Sequence, residues 1–324
     1  MSYRHPAGRR GAAACLLFLG MLSAAPSTRN AARAQTTADR RQDVREEVVV
    51  LRDIPYVAGG HDRQKLDLYL PRDAQTKTEP LPVVLWVHGG GWRKGNRFPC
   101  PAVFLVPHGY AVASVGYRLS DTAKFPAQIH DCKAAVRFLR TSASKWNLDP
   151  NRIGAWGSSA GGHLVALLGT AGNAPELEGT LGTTGVPSSV QAVCDYYGPT
   201  DLLRMNSQSG PHSRLDHDAP NSPESQLLGG PLQTQVELAQ MASPIRYVDP
   251  QDPPFLIVHG DADPLVPHQQ SQMLHQALQT AGVPSTLIIV PGGGHGPFRE
   301  PEMLQRVREF FDQHLHRSEQ DSSN

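Results

Sequence analysis

Nowhere in the 324 residues do 18 apolar residues follow one another, so no stretch is long enough to cross a bilayer as a helix. An excess of one charge is lacking too, with 30 Lys and Arg against 30 Asp and Glu. No basic stripe or patch stands out, which argues against nucleic acid as a partner. Cysteine is scarce, and the four present (Cys15, Cys100, Cys132, Cys194) are too scattered for a disulfide framework. Cys132 and Cys194 lie in apolar contexts and read as core residues. No internal repeat and no linker-like stretch divides residues 47–316. With 39% hydrophobic and 19% charged residues, this is the composition of one soluble globular domain.

The N-terminus reads as an export signal. Arg4, Arg9 and Arg10 form a positive region, and a short apolar core runs from Ala12 to Ala25. Ala32-Arg33-Ala34 then offers an A-x-A cleavage site before Gln35. The expectation is a signal peptide over 1–34 and a secreted or periplasmic domain over 35–324. Its removal takes five arginines and no acid, which lowers the formal charge from 0 to about −5. Three cysteines remain, an odd number. Residues 35–46 are polar and read as a leader.

The rest alternates strand and helix patterns. Glu47 to Val57 and Gln64 to Leu70 read as an antiparallel hairpin. Continuous apolar runs at Val83–Val87, Tyr110–Tyr117, Arg152–Trp156, Val190–Tyr196, Phe255–Val258 and Thr286–Val290 have the length of strands buried on both faces. Helices are expected around Ala102–His108, over Phe125–Arg140, over His268–Ala281 with Gly282 as its C′ residue, and over Pro301–His314. In Phe125–Arg140 the apolar positions recur at helical spacing, with Asp131, Lys133, Arg137 and Arg140 as the charged face. Leu202 to Ser243 is rich in Pro, Ser, Asn and Gln, and reads as a short polar cap inserted between two strands. The fold class expected is α/β, a mostly parallel eight-stranded sheet flanked by helices.

Chemistry concentrates where these strands end. Arg152–Trp156 runs into Gly157-Ser158-Ser159-Ala160-Gly161 and then a helix-compatible segment, the strand, sharp turn and helix of a nucleophile elbow. Asp263 lies past a later strand in His259-Gly260-Asp261-Ala262-Asp263, with Asp261 as competitor, better suited to a local turn. His295 follows the last strand in Pro291-Gly292-Gly293-Gly294-His295-Gly296. Ser159 as nucleophile, His295 as base and Asp263 as orienting acid is the chain order of an α/β-hydrolase triad. In His88-Gly89-Gly90-Gly91-Trp92, glycines free backbone N–H groups to face a developing oxyanion. Gly90 and Gly91, with Ala160 after the nucleophile, are the candidate oxyanion-hole donors. His88 is expected to brace this loop and Trp92 to line the acyl or alcohol pocket. No cofactor and no metal is called for.

His-Gly-Gly-Gly-Trp paired with Gly-Ser-Ser-Ala-Gly resembles the hormone-sensitive-lipase-like esterases of the α/β-hydrolase superfamily. The segments Asp195–Asp201, Ser222–Gly230 and Asp252–Asp263 look closer still to bacterial feruloyl and acetyl-xylan esterase-like carboxylesterases. The resemblance implies a serine carboxylesterase with Ser159, Asp263 and His295 as its triad, the 88–92 loop as its oxyanion hole, and no cofactor. The cap is smaller and more polar than the lids of interfacial lipases, so short acyl esters, or acetyl and feruloyl esters of plant polysaccharide, are expected. Rival readings are an exported serine peptidase of the same fold, a non-catalytic hydrolase-fold binding protein, and metal-assisted hydrolysis at Asp216, His217 and Asp218.

Overall fold

The computed structural model describes residues 47–211 and 213–316; the expected signal peptide, the leader and the tail from 317 lie outside these. The eight expected strands are all present. β1 (Val48–Pro55) pairs antiparallel with β2 (Lys65–Pro71), and β2 pairs antiparallel with β4 (Ala111–Val115). β3 (Leu81–Val87), β5 (Leu148–Ser158), β6 (Ala192–Tyr196), β7 (Phe255–Gly260) and β8 (Ser285–Val290) join β4 in parallel, in the order β1-β2-β4-β3-β5-β6-β7-β8. The longer helices are α1 (Ala127–Thr141), α2 (Ala160–Thr170), α3 (Pro223–Leu228), α4 (Val236–Met241), α5 (Gln269–Thr280) and α6 (Pro301–Leu315).

Successive side chains of a strand face opposite sides, and β3 divides accordingly. Val83, Leu85 and Val87 join the core that holds Ile129 and Val136 of α1 and Leu164 and Leu168 of α2. Val84 and Trp86 join Trp156, Tyr196 and the α6 residues Val307, Phe311 and Leu315 on the other face. Both faces are covered, which is why β3 is apolar at every position. The parallel strands end along one edge, where open α/β sheets carry their ligands.

Three features depart from the expected elements. The segment near 102–108 is a 3₁₀ helix, Pro101–His108, with Pro107 inside it; a proline there leaves no amide for an α-helical bond. Gly282 does stand just past α5, with φ of +80°.

The second departure is α1, which has no solvated charged face. Asp131, Lys133 and Arg137 are all at most 1% exposed. Each has partners. Asp131 accepts from Gln64 Nε2 at 2.7 Å and from the Arg118 amide at 2.8 Å, and pairs with the Arg118 guanidinium at 2.8 Å. Lys133 donates to Ala171 O at 2.8 Å and Glu178 Oε2 at 3.0 Å; Arg137 holds Glu178, Leu181 O and Thr183 O. The charges therefore tie neighbouring loops to a buried helix.

The third departure is the cap, residues 202–243, which is polar in composition but anchored from within. Leu202, Leu227, Leu228 and Leu232 are buried in the same core as α2. Ser222 caps α3, accepting from the Ser225 amide at 3.0 Å. Cys100, Cys132 and Cys194 are all free thiols, the last two buried. Among the described residues no helix is long and apolar enough to cross a membrane.

Candidate active site

The elbow between β5 and α2 is built by close backbone approach. A Cβ on Gly157 would lie 2.2 Å from Gly161 O, and one on Gly161 would lie 2.1 Å from Val87 O. Neither position admits a side chain. Between them Ser159 adopts φ 57°, ψ −124°, a backbone cost of about 1–3 kcal/mol that the surrounding packing must hold. Its own amide is tied to Tyr196 O at 2.8 Å, and its hydroxyl projects past the end of the strand.

Two later loops meet that hydroxyl. His295 Nε2 lies 2.9 Å from Ser159 Oγ, and His295 Nδ1 lies 2.6 Å from Asp263 Oδ2. Burial works to raise the Asp263 carboxyl, but hydrogen bonds from His259 and His295 outweigh it and hold the group well below the usual carboxylate range. Its Oδ1 also accepts from the Leu265 and Val266 amides at 2.8 and 3.0 Å. Against this anion His295 carries its proton on Nδ1, which leaves Nε2 to accept from the serine hydroxyl. The ring of Tyr197 stands 4.5 Å from the His295 ring and walls it on one side.

Asp261 takes a different position from Asp263. It does not cap its own turn; its Oδ1 accepts from the Gly292 amide at 2.7 Å and clasps the loop after β7 to the loop after β8. His259 carries no functional signature of its own in the sequence. It is fully buried, reaches Asp263 Oδ2 with Nε2 at 3.2 Å, and is itself held by Val266 O at 2.9 Å and Ser271 Oγ at 2.7 Å. Its place two residues before Asp261 was the only available signal.

The glycine loop after β3 borders the same cavity as Ser159. Gly90 has φ of +110°, and its carbonyl accepts from the Arg93 and Lys94 amides at 3.2 and 3.1 Å. That turn uses the Arg93 and Lys94 amides and leaves those of Gly90 and Gly91 out of it. The amides of Gly90, Gly91 and Ala160 find no acceptor among the described residues. His88 braces the loop as expected. Its Nδ1 donates to Gly89 O at 2.8 Å, Arg63 approaches Nε2 at 3.2 Å, and Tyr117 stacks on the ring at 4.4 Å.

Trp92 reaches the cavity wall, but as a fixed ring only 1% exposed. Its indole N–H donates to His163 Nδ1 at 3.2 Å, and His163 Nε2 donates in turn to Ala242 O at 2.6 Å. The glycine loop, the elbow helix and the cap are thus joined through one buried imidazole. Burial pulls His163 and His88 each down to about 4, so both rings stay neutral at ordinary pH.

The cavity holds about 460 Å³, with Leu215, Pro223 and Glu224 of the cap opposite Ser159 and His295. A larger one of about 830 Å³, beside Arg137 and Glu178, shares no lining residue with it. The three residues of the rival metal reading turn to protein partners. Asp216 accepts from the Asp218 amide at 3.1 Å, His217 meets Glu224 at 3.0 Å, and Asp218 accepts from Gln233 at 2.6 Å. Among the described residues no group of three or more His, Cys, Asp or Glu is placed to hold a metal ion.

The sequence profile of the BD-FAE family matches residues 66–278, a span that includes Ser159 and Asp263. The chain belongs to the BD-FAE family. Its fold is that of the α/β-hydrolases. The esterase LipC of Mycobacterium tuberculosis is 33% identical over 74% of this chain and 58% of its own length. The chain spans little more than half the length of the curated relatives it matches first. A truncated carbohydrate esterase from gut microbiota superposes with a TM-score of 0.72 at 34% identity, covering 82% of this chain and 95% of that one. An acetyl ester-xyloside bifunctional hydrolase from Caldicellulosiruptor lactoaceticus gives 0.62 at 27% identity, over 77% and 87%.

Proposed function

We propose that the chain is a serine carboxylic-ester hydrolase that works through an acyl-enzyme. The observation that carries this reading is the unbroken line Ser159–His295–Asp263 opening into a cavity bordered by Gly89, Gly90 and Gly91. His295 Nε2 takes the hydroxyl proton as Ser159 Oγ attacks the ester carbonyl. The carbonyl oxygen becomes an oxyanion, received by the amides of Gly90, Gly91 and Ala160. As the carbon–oxygen bond to the alcohol breaks, the imidazolium hands its proton to the departing alkoxide. Water then enters, gives a proton to His295 and bonds to the acyl carbon; as the bond from that carbon to Ser159 Oγ breaks, His295 returns the proton to Oγ and the acid leaves. Asp263 keeps the Nδ1 proton in place and stabilises the imidazolium.

The substrates proposed are short acyl esters, with acetyl or feruloyl groups on plant polysaccharide foremost. The names of two similar solved structures, a carbohydrate esterase and an acetyl ester-xyloside bifunctional hydrolase, support this, as does the small cap. Export to the periplasm or medium is proposed from Arg4, Arg9, Arg10, the apolar run to Ala25 and the Ala32–Ala34 site; N-terminal sequencing of the protein recovered outside the cytoplasm should begin at Gln35. The activity is tested by hydrolysis of p-nitrophenyl acetate, butyrate and decanoate, methyl ferulate and acetylated xylan by wild type and Ser159→Ala. Wild type should favour acetate over decanoate and Ser159→Ala should be inactive. Full activity in the alanine variant, or its abolition by chelators, would overturn the mechanism.

A further inference from the structure

Among the described residues that line the catalytic cavity, Glu224 is the only carboxylate. It sits in the first turn of α3, directly after Pro223, whose ring packs on Gly91: a Cβ at that glycine would stand 3.3 Å from Pro223 Cβ. Glu224 is 2% exposed, and its Oε1 meets His217 Nδ1 at 3.0 Å. Its Oε2 is buried without a hydrogen-bond partner. A carboxylate oxygen withdrawn from water and left without a donor is costly, and an acceptor kept so beside a substrate cavity calls for a donor that the substrate brings.

The rest of the wall limits what that donor is. Arg93 and Lys94 line the same cavity, and neither forms an ion pair among the described residues. They disfavour an ammonium ligand, while the buried Glu224 disfavours an anionic one close to it. A neutral hydroxyl meets both conditions. We infer that Glu224 Oε2 accepts a hydrogen bond from a hydroxyl on the alcohol half of the ester, beside the scissile bond. The site then selects partial esters of polyols over esters of simple alcohols. This deepens the ester-hydrolase reading above and rests on it. Glu224 enters no covalent step. It is a specificity-determining residue, held in its rotamer by His217.

The test compares trans-2-hydroxycyclohexyl acetate with cyclohexyl acetate, and cyclohexyl hydroxyacetate with cyclohexyl acetate, for wild type and Glu224→Gln. The first ratio of kcat/KM in wild type, divided by that in the variant, removes the intrinsic effect of the extra hydroxyl on ester reactivity. The expected quotient is roughly 10–100, the worth of one hydrogen bond to a charged acceptor. Should the variant not fold, inhibition of wild type decides: trans-1,2-cyclohexanediol should inhibit at about a tenth of the concentration needed for cyclohexanol. A quotient near one with both esters hydrolysed, equal inhibition by the two alcohols, or a preference found only for the hydroxyacetate overturns the inference and leaves the ester-hydrolase reading standing. Failure of wild type to hydrolyse any of these esters overturns that reading itself, and this one with it.

Discussion

His259 and His295 share one acceptor, the Oδ2 oxygen of Asp263, at 3.2 and 2.6 Å. With the two backbone amides on Oδ1, the carboxylate is gripped on every side, and its aim toward His295 does not depend on side-chain rotamer preference alone. His259 is then a positioning residue that acts through Asp263. Replacing it by Phe should lower kcat about tenfold or more, the loss expected for a hydrogen bond to a charged group, with KM little altered. A kcat within twofold of wild type in a folded variant rejects that role.

Asp261 and Asp263 stand two residues apart but hold different partners, and the difference is measurable. Asp263→Asn should cost on the order of 10⁴ in kcat, as loss of the orienting acid does in serine triads. Asp261→Asn, which loosens only the clasp on Gly292, should cost less than about tenfold, a single hydrogen bond's worth. Comparable losses in both would reverse the assignment.

Acid sensitivity follows from the buried imidazoles. An exposed histidine takes up a proton near pH 6.5, whereas His88 and His163 are pulled by burial to about 4. Between those values the unfolded chain binds protons that the folded chain refuses, so stability falls as pH falls. Each ring contributes roughly 3 kcal/mol across the window. Asp263, whose carboxyl is held low, adds its own loss only below about pH 4. Thermal melts at pH 7, 5.5 and 4.5 should descend steadily, and His163→Gln should flatten the descent. A melting temperature constant over this range contradicts the argument.

The charges on α1 make a stability prediction. Asp131→Ala leaves the Gln64 amide and part of the Arg118 guanidinium without their acceptor in a site that is closed to water on the Asp131 side. Breaking a buried pair from one side costs about 3–5 kcal/mol, which denaturant unfolding resolves. An unchanged midpoint would mean that water reaches the gap and replaces the carboxylate.

Much of this architecture could be read from the residues. The apolar runs of β3, β6 and β7 and the second half of β5 are unmistakable because both faces are covered, whereas β8, expected to be buried on both faces, is an edge strand that is only half-buried. Ser159, Asp263 and His295 follow strand ends in the order the proposed chemistry needs. The face of α1 could not be read the same way. Lys133 and Arg137 look solvated by residue type, and only the loop that Glu178, Leu181 and Thr183 bring across the helix removes them from water. His163, His259 and Glu224 were hidden for a related reason. Their partners are 79, 4 and 7 residues away, and even the near ones are brought into reach by turns that local periodicity does not encode.

The bridge from Trp92 through His163 to Ala242, with Pro223 seated on Gly91, bears on protein engineering. Chimeras made by swapping caps between esterases treat the insertion as a module with junctions only at its two ends. Here the cap has further junctions along its length, among them one at the elbow helix, one at the glycine loop, one at Lys124 and Phe125, and one at Pro264. A graft of residues 202–243 alone would arrive without the indole and the bare backbone it is fitted to. The transferable unit includes, with the cap, at least His88–Lys94 and His163, pieces of chain separated in sequence but fitted to one another in space.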